Sequence, residues 1–101
     1  MAKKIIWTRE SLNNIHSIME FIAIDSEYYA SSFASEIYEK ADTLTTLFNR
    51  GRIVPEISKD NIREIFIGDY RMVYDIGNDN IHIIAIIHGR RDLKKYLSKH
   101  K

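Results

Sequence analysis

Three residue types used in phosphodiester chemistry, a carboxylate, a guanidinium and an imidazole, occur in the second half of the sequence as Glu64, Arg71 and His88. A carboxylate can serve as general base, a guanidinium can stabilise charge developing on a phosphorane, and an imidazole can return a proton to the leaving oxygen. They serve one reaction only if the chain brings them to one surface. The end of the chain offers a second feature. From Gly89 onward six Lys or Arg stand against one Asp, in a chain whose 15 Lys and Arg and 14 Asp and Glu leave a net charge of +1. Arg90, Arg91, Lys94 and Lys95, with Tyr96 beside them, form a local cationic segment suited to phosphate or to an acidic partner.

The elements that must position these groups are strands. Residues 62–67, 70–76 and 81–88 are rich in β-branched and aromatic side chains, the composition of a pleated, half-buried surface. Only Gly68 and Asp69 separate the first two, which suits a tight primed turn, and residues 77–80 form a second turn-like connection. In that register Ile67 opposes Tyr70, Arg71 opposes Phe66 and Val73 opposes Glu64. Pairing Ile76 with Ile81 then sets Arg71 opposite Ile86 and diagonally next to His88. Alternation along each strand predicts one face with Ile65, Ile67, Tyr70, Met72, Tyr74, Ile76, Ile81, Ile83, Ala85 and Ile87. The other face carries Glu64, Phe66, Arg71, Val73, Asp75, His82, Ile84, Ile86 and His88. The three candidate groups share this second face, which the helices leave open. They also suit ordinary cross-strand polar pairs on a solvated sheet, and a slip of one residue would separate them. Ile84 and Ile86 on an open face imply a bound protein segment as cover.

Upstream, residues 3–7 form a strand candidate ending at Thr8, whose hydroxyl can cap a helix. Leu12, Ile15, Met19 and Ile22 recur at helical spacing, with Asn13, Asn14, Ser17 and Glu20 turned away from the stripe's centre. Ser26 is the next cap, and a second stripe runs through Ala30, Phe33, Ala34, Ile37, Ala41, Leu44 and Phe48. The short connection at Asp25 makes the helices antiparallel neighbours, and residues 49–52 end the second. The whole predicts one α+β domain over residues 1–101: an antiparallel sheet with an N-terminal helical hairpin on one face and a short basic C-terminal helix.

Composition narrows the chemistry. Cysteine is absent, which excludes disulfides, thiolate zinc sites and cysteine nucleophiles. No residue pattern points to another metal site or to an organic cofactor. No apolar run is long enough to span a bilayer and residues 1–7 lack the apolar stretch of a signal peptide, so the expected location is the cytoplasm, away from membranes.

The sequence resembles the RelE/ParE toxin superfamily over nearly its whole length. The resemblance is carried by Ile6-Trp7-Thr8 leading into the helical hairpin, by Gly51 to Glu56, by Ile62 to Ile65 running through Gly68 to Tyr74, and by Ile86 to Asp92. It implies a microbial RNase-like fold, a cognate antitoxin encoded alongside, a hetero-oligomer with it, growth arrest when the toxin is freed, and a role in plasmid stabilization. The stretch from Arg63 to Tyr74 and the His88 to Asp92 motif are closer to the ParE branch, whose members inhibit DNA gyrase. Arg71 and Arg91 also match arginines of ribosome-dependent nucleases that cleave messenger RNA.

The resemblance therefore leaves several roles open. A ParE-like gyrase inhibitor would use Arg90, Arg91, Lys94, Lys95 and Tyr96 as target contacts. A metal-independent endoribonuclease on the ribosome would use Arg71 on the phosphorane, His88 as acid and Glu64 or an activated 2′-hydroxyl path for the base, but no lysine stands between Asn61 and Tyr70 where nuclease members carry them. A chain without toxicity would act only as an antitoxin-binding module. In each case the antitoxin is expected to be a partly disordered, acidic segment that covers the sheet and folds on binding.

Overall fold

The computed structural model describes residues 2–99. Strand β1 (Lys4–Trp7) leads into helix α1 (Arg9–Ala23) and helix α2 (Glu27–Thr43). There follow a two-residue strand β2 (Arg52–Ile53), then β3 (Ile62–Ile67), β4 (Tyr70–Ile76), β5 (Asn80–His88) and helix α3 (Leu93–Lys99). The five strands form one sheet in the order β1-β5-β4-β3-β2. His100 and Lys101, the last residues of the basic segment, lie outside the described residues.

Both helix starts follow from local chemistry. The Thr8 hydroxyl accepts from the Ser11 amide and that of Ser26 from the Tyr29 amide, each satisfying an amide that the first turn leaves without a partner. The stripe of α1 is rotated from the expected one. Ser11, Ile15 and Ile18 are its buried residues, while Leu12 is 44% exposed. The cause lies at the start of α1, where the Thr8 hydroxyl also donates to the Ile83 carbonyl at 2.6 Å and draws that turn against β5.

The sheet is mixed rather than antiparallel, because β1 runs parallel to β5, pairing Lys4 through Trp7 with Asn80 through Ile83. β3, β4 and β5 form the expected meander. Gly68 takes φ +58° in the β3–β4 turn, which is the conformation that a primed turn with glycine first requires. The β3–β4 register agrees with expectation, including Phe66 opposite Arg71 and Glu64 opposite Val73.

The β4–β5 register does not agree beyond its midpoint. Tyr74 pairs with Ile83 but Val73 pairs with Ala85, so Ile84 is an extra residue in β5. Such a bulge inverts the face on which every later side chain of the strand lies. Arg71 consequently opposes Ile87, Met72 opposes Ile86 and Tyr70 opposes His88.

Both sheet faces are covered. On one, α1 and α2 bury Ile15, Ile37, Ala41 and Leu44 against Ile65, Ile67, Met72, Tyr74, Ile81, Ile83 and Ile86. On the other, Leu93 and Tyr96 of α3 and Val54 pack on Val73, Ala85 and Ile87. The face expected to be open is a second core. Ile86 is buried beneath the hairpin and Ile84 is packed at the edge of the second core, so neither requires cover from another protein.

Candidate functional site

Arg71 lies in β4 on the face covered by α3 and is only 3% exposed. Its Nη1 donates to Glu64 Oε1 at 2.8 Å and to Glu56 Oε1 at 3.1 Å. Its Nη2 donates to Glu56 Oε2 and to the backbone carbonyl of Arg91. Each carboxylate has a further partner. Glu64, itself 1% exposed, receives Arg52 Nε on Oε2 at 2.6 Å, and the Arg52 guanidinium sits 5.1 Å over the Phe66 ring. Glu56 Oε2 accepts the Leu93 amide at 2.9 Å. Two carboxylates and two guanidiniums thus form one chain of contacts from the sheet edge to the start of α3.

The electrostatics follow from that pairing. The Arg71 hydrogen bonds hold the Glu56 carboxyl down at about 2, against an opposing push from partial burial, and the Leu93 amide adds to the depression. The Arg71 guanidinium is in turn held charged above its ordinary value, first by Glu56 and then by Glu64. A buried pair of this kind is costly to break, because the partner left behind is an uncompensated charge; removal of one member costs roughly 3–5 kcal/mol. Arg71 Nε is buried without a hydrogen-bond partner among the described residues. Every other donor nitrogen of Arg71 is committed inside the protein, so the geometry equips it to hold the turn before α3.

His88 stands apart. The bulge at Ile84 places it beside Tyr70, with ring centroids 5.7 Å apart, on the face of the helical hairpin, where Phe33 packs on Tyr70 in turn. Its Nδ1 accepts the Arg90 amide at 3.2 Å. Glu64 and Arg71 are brought together, and His88 is not: the diagonal contact expected from unbroken alternation is replaced by opposite faces.

The cationic segment is arranged around α3. Arg90, Arg91, Lys94 and Lys95 are exposed. Tyr96 points inward at 3% exposure, and its hydroxyl donates to Glu10 and accepts Asn14 Nδ2 at 2.6 Å. Burial, then the Glu10 hydrogen bond, raises its pKa. The Arg91 guanidinium lies 4.6 Å from the Tyr96 ring centroid, so Tyr96 is a support for the arginine and a member of the core.

Two residues with structural weight carry no signal of their role in the sequence. Glu56 had no signal beyond being an acid after Pro55. Asn14, expected to face away from the stripe, accepts the Ile86 amide at 2.9 Å on Oδ1. It thereby caps β5 where β1 has ended and the strand is without a neighbour on that side.

A separate groove lies between the helices, lined by Met19, Ala23 and Ala30 together with the exposed Glu20 and Glu27. Near it, at the turn of the hairpin, Phe21, Ile24, Tyr28 and Tyr29 are each more than 60% exposed, an unusual cluster for solvent-facing positions. Among the described residues no group of His, Asp or Glu is placed to hold a metal ion, and no helix is long and apolar enough to cross a membrane.

One family model matches this chain. The family model described as the ParE toxin of the type II toxin-antitoxin system parDE matches residues 5–93. The solved structure titled chromosomal ParDE TA system from P. aeruginosa superposes with a TM-score of 0.71 at 17% identity, over 86% of this chain and 96% of that one. At that identity the likeness is one of fold. No curated protein matches.

Proposed function

Since the chain belongs to the ParE toxin family of type II toxin-antitoxin systems, with the cognate antitoxin partner which that family implies, we propose that it arrests growth by binding and inhibiting DNA gyrase. In this reading it performs no bond chemistry of its own and is neutralised when the antitoxin binds. The observation that carries it is the state of Arg71. The guanidinium that would have to clamp a phosphorane is buried, shared between Glu56 and Glu64, and on the opposite sheet face from His88. Oxyanion stabilisation needs donors aimed at the reacting group, and general acid catalysis needs a proton donor within reach of it.

The same network favours binding. It anchors the turn from which Arg90, Arg91, Lys94 and Lys95 project, and a preorganised contact surface loses little entropy on association. These four residues are the proposed target contacts, with Tyr96 holding Arg91 in place. The antitoxin has its best seat on the helical hairpin, where Phe21, Ile24, Tyr28 and Tyr29 are exposed. Because Glu20 and Glu27 border that surface and the chain covers its own sheet, the contact proposed there is apolar and replaces the acidic segment over the sheet that the sequence suggested.

Induced expression tests the proposal, with early sampling of plasmid supercoiling and of messenger 5′ ends, alongside supercoiling by purified gyrase at stoichiometric protein. Relaxed or cleaved plasmid with intact messages supports it. Unimpaired supercoiling with codon-phased new ends would replace it with the ribosomal nuclease reading, and absence of growth arrest would leave an antitoxin-binding module.

A further inference from the structure

Charge is sorted along this molecule in a way the net value of +1 conceals. Residues 10–42 carry seven Asp or Glu against Lys40 alone, whereas residues 88–99 carry five Lys or Arg against Asp92 alone. Asp92 is turned onto the start of α3, where its carboxylate accepts the Lys95 amide at 3.1 Å. Arg90, Arg91, Lys94, Lys95 and Lys99 are all exposed, and among the described residues none of the five forms an ion pair with a carboxylate. Of those acids, Glu10 lies next to the cationic segment, while Glu20, Asp25 and Glu27 lie toward the hairpin turn. Tyr96 meets Glu10 in the first turn of α1, and the rest of that helix carries the acidic hairpin turn about 20 Å away at 1.5 Å per residue.

The form of the cationic surface selects among anionic partners. The apolar residues Leu93 and Tyr96 are turned into the core at 0% and 3% exposure, so the cations flank no apolar groove of the kind that seats an amphipathic acidic segment. A single-stranded nucleic acid gains affinity by stacking its bases on open aromatic rings. Here the ring of Tyr96 is buried and Arg91 lies over it. Exposed charge on a fixed support, without a stacking platform, is what contact with a duplex backbone uses.

We propose that Arg90, Arg91, Lys94, Lys95 and Lys99 form a surface that binds the phosphate backbone of duplex DNA without sequence preference. The inference rests on the gyrase reading and deepens it: the cations engage the DNA segment that the enzyme holds, and the acidic turn of the hairpin lies at the far end of α1 from the Tyr96–Glu10 contact.

The test is fluorescence anisotropy of a labelled duplex with the whole protein and no gyrase, titrated with salt, for the wild type and the double variant Lys94→Glu/Lys95→Glu. Both lysines are exposed, and circular dichroism confirms that the variant is folded. With about three phosphates neutralised, affinity falls roughly six- to sevenfold for each doubling of salt, and the variant binds at least about tenfold more weakly with a shallower slope. No salt-dependent binding at low ionic strength, equal binding by the variant, or competition by polyglutamate as effective as by unlabelled duplex would each overturn the proposal. Supercoiling assays on the same preparations keep the two readings apart. Gyrase inhibition without DNA binding removes this inference and leaves the gyrase reading, while DNA binding with gyrase untouched upholds the surface and removes the gyrase reading.

Discussion

Arg71, in the middle of a buried sheet face, donates a hydrogen bond to the backbone carbonyl of Arg91, twenty residues later in the chain. The side chain that composition recommends for catalysis is thereby an anchor for the turn that carries the exposed cations. Glu56 completes the anchor by gripping both Arg71 and the Leu93 amide.

Glu56→Ala should therefore act on α3 as well as on overall stability. It leaves Arg71 Nη2 short of a partner and Leu93 without its acceptor, while Glu64 still compensates the Arg71 charge, and the expected loss is about 1–3 kcal/mol. Urea denaturation measures the total. Hydrogen exchange across residues 93–99 should rise more than exchange in α1, and equal acceleration in both helices would argue against the anchor.

The same carboxylate sets an acid limit. Its folded value of about 2 lies below the ordinary carboxyl value of 4.5, so its contribution is fully present above about 4.5 and is lost as pH falls toward 2. The urea midpoint should decline through that window. Glu56→Gln should be less stable at neutral pH and show a flatter decline, and an unchanged slope in that variant would assign the acid sensitivity elsewhere.

Gly51 has no room for a side chain. A Cβ there would stand 2.5 Å from the Tyr74 hydroxyl and 2.7 Å from the Glu64 carbonyl oxygen. Gly51→Ala should cost roughly 1–3 kcal/mol by forcing the backbone apart. Adding Tyr74→Phe should recover little in thermal melts, because the Glu64 carbonyl remains and the Tyr74 hydroxyl's bonds to the Gly51 amide and Phe48 carbonyl are lost.

Asn14→Ala removes the acceptor of the Ile86 amide and a donor to Tyr96. A partly buried amide without a partner costs about 1–3 kcal/mol, and the loss should appear as faster exchange of the Ile86 amide itself in NMR spectra.

His88→Ala discriminates the functional readings. With the imidazole on the hairpin face beside Tyr70, growth arrest on induced expression should persist near the wild-type level, while a loss of toxicity in a folded variant would restore His88 as a working residue.

Much of this was legible in the sequence because it depends on near neighbours. Thr8 and Ser26 announce the helices through hydroxyls that reach amides three residues on. Gly68 fixes the β3–β4 register because a two-residue turn leaves one way to pair the strands, which is why Glu64 and Arg71 could be placed on one face. The cationic end needed only counting, and the ordered segments from Ile6 to Asp92 sufficed for the family.

What tertiary structure decided turns on Ile84. From Ile83 to Ile87 the chain is apolar at every position, so alternation cannot tell which residues face which layer, with or without an extra residue. Packing on both sides chose the bulge: Ile83 and Ile86 lie under the helical hairpin, and Ala85 and Ile87 under α3. That choice sent His88 away from Arg71 and closed the face that alternation left open. Glu56 and Asn14 found their partners by the same route, through contacts 15 and 72 residues distant, separations at which pattern carries no information and only the packed chain brings the groups together.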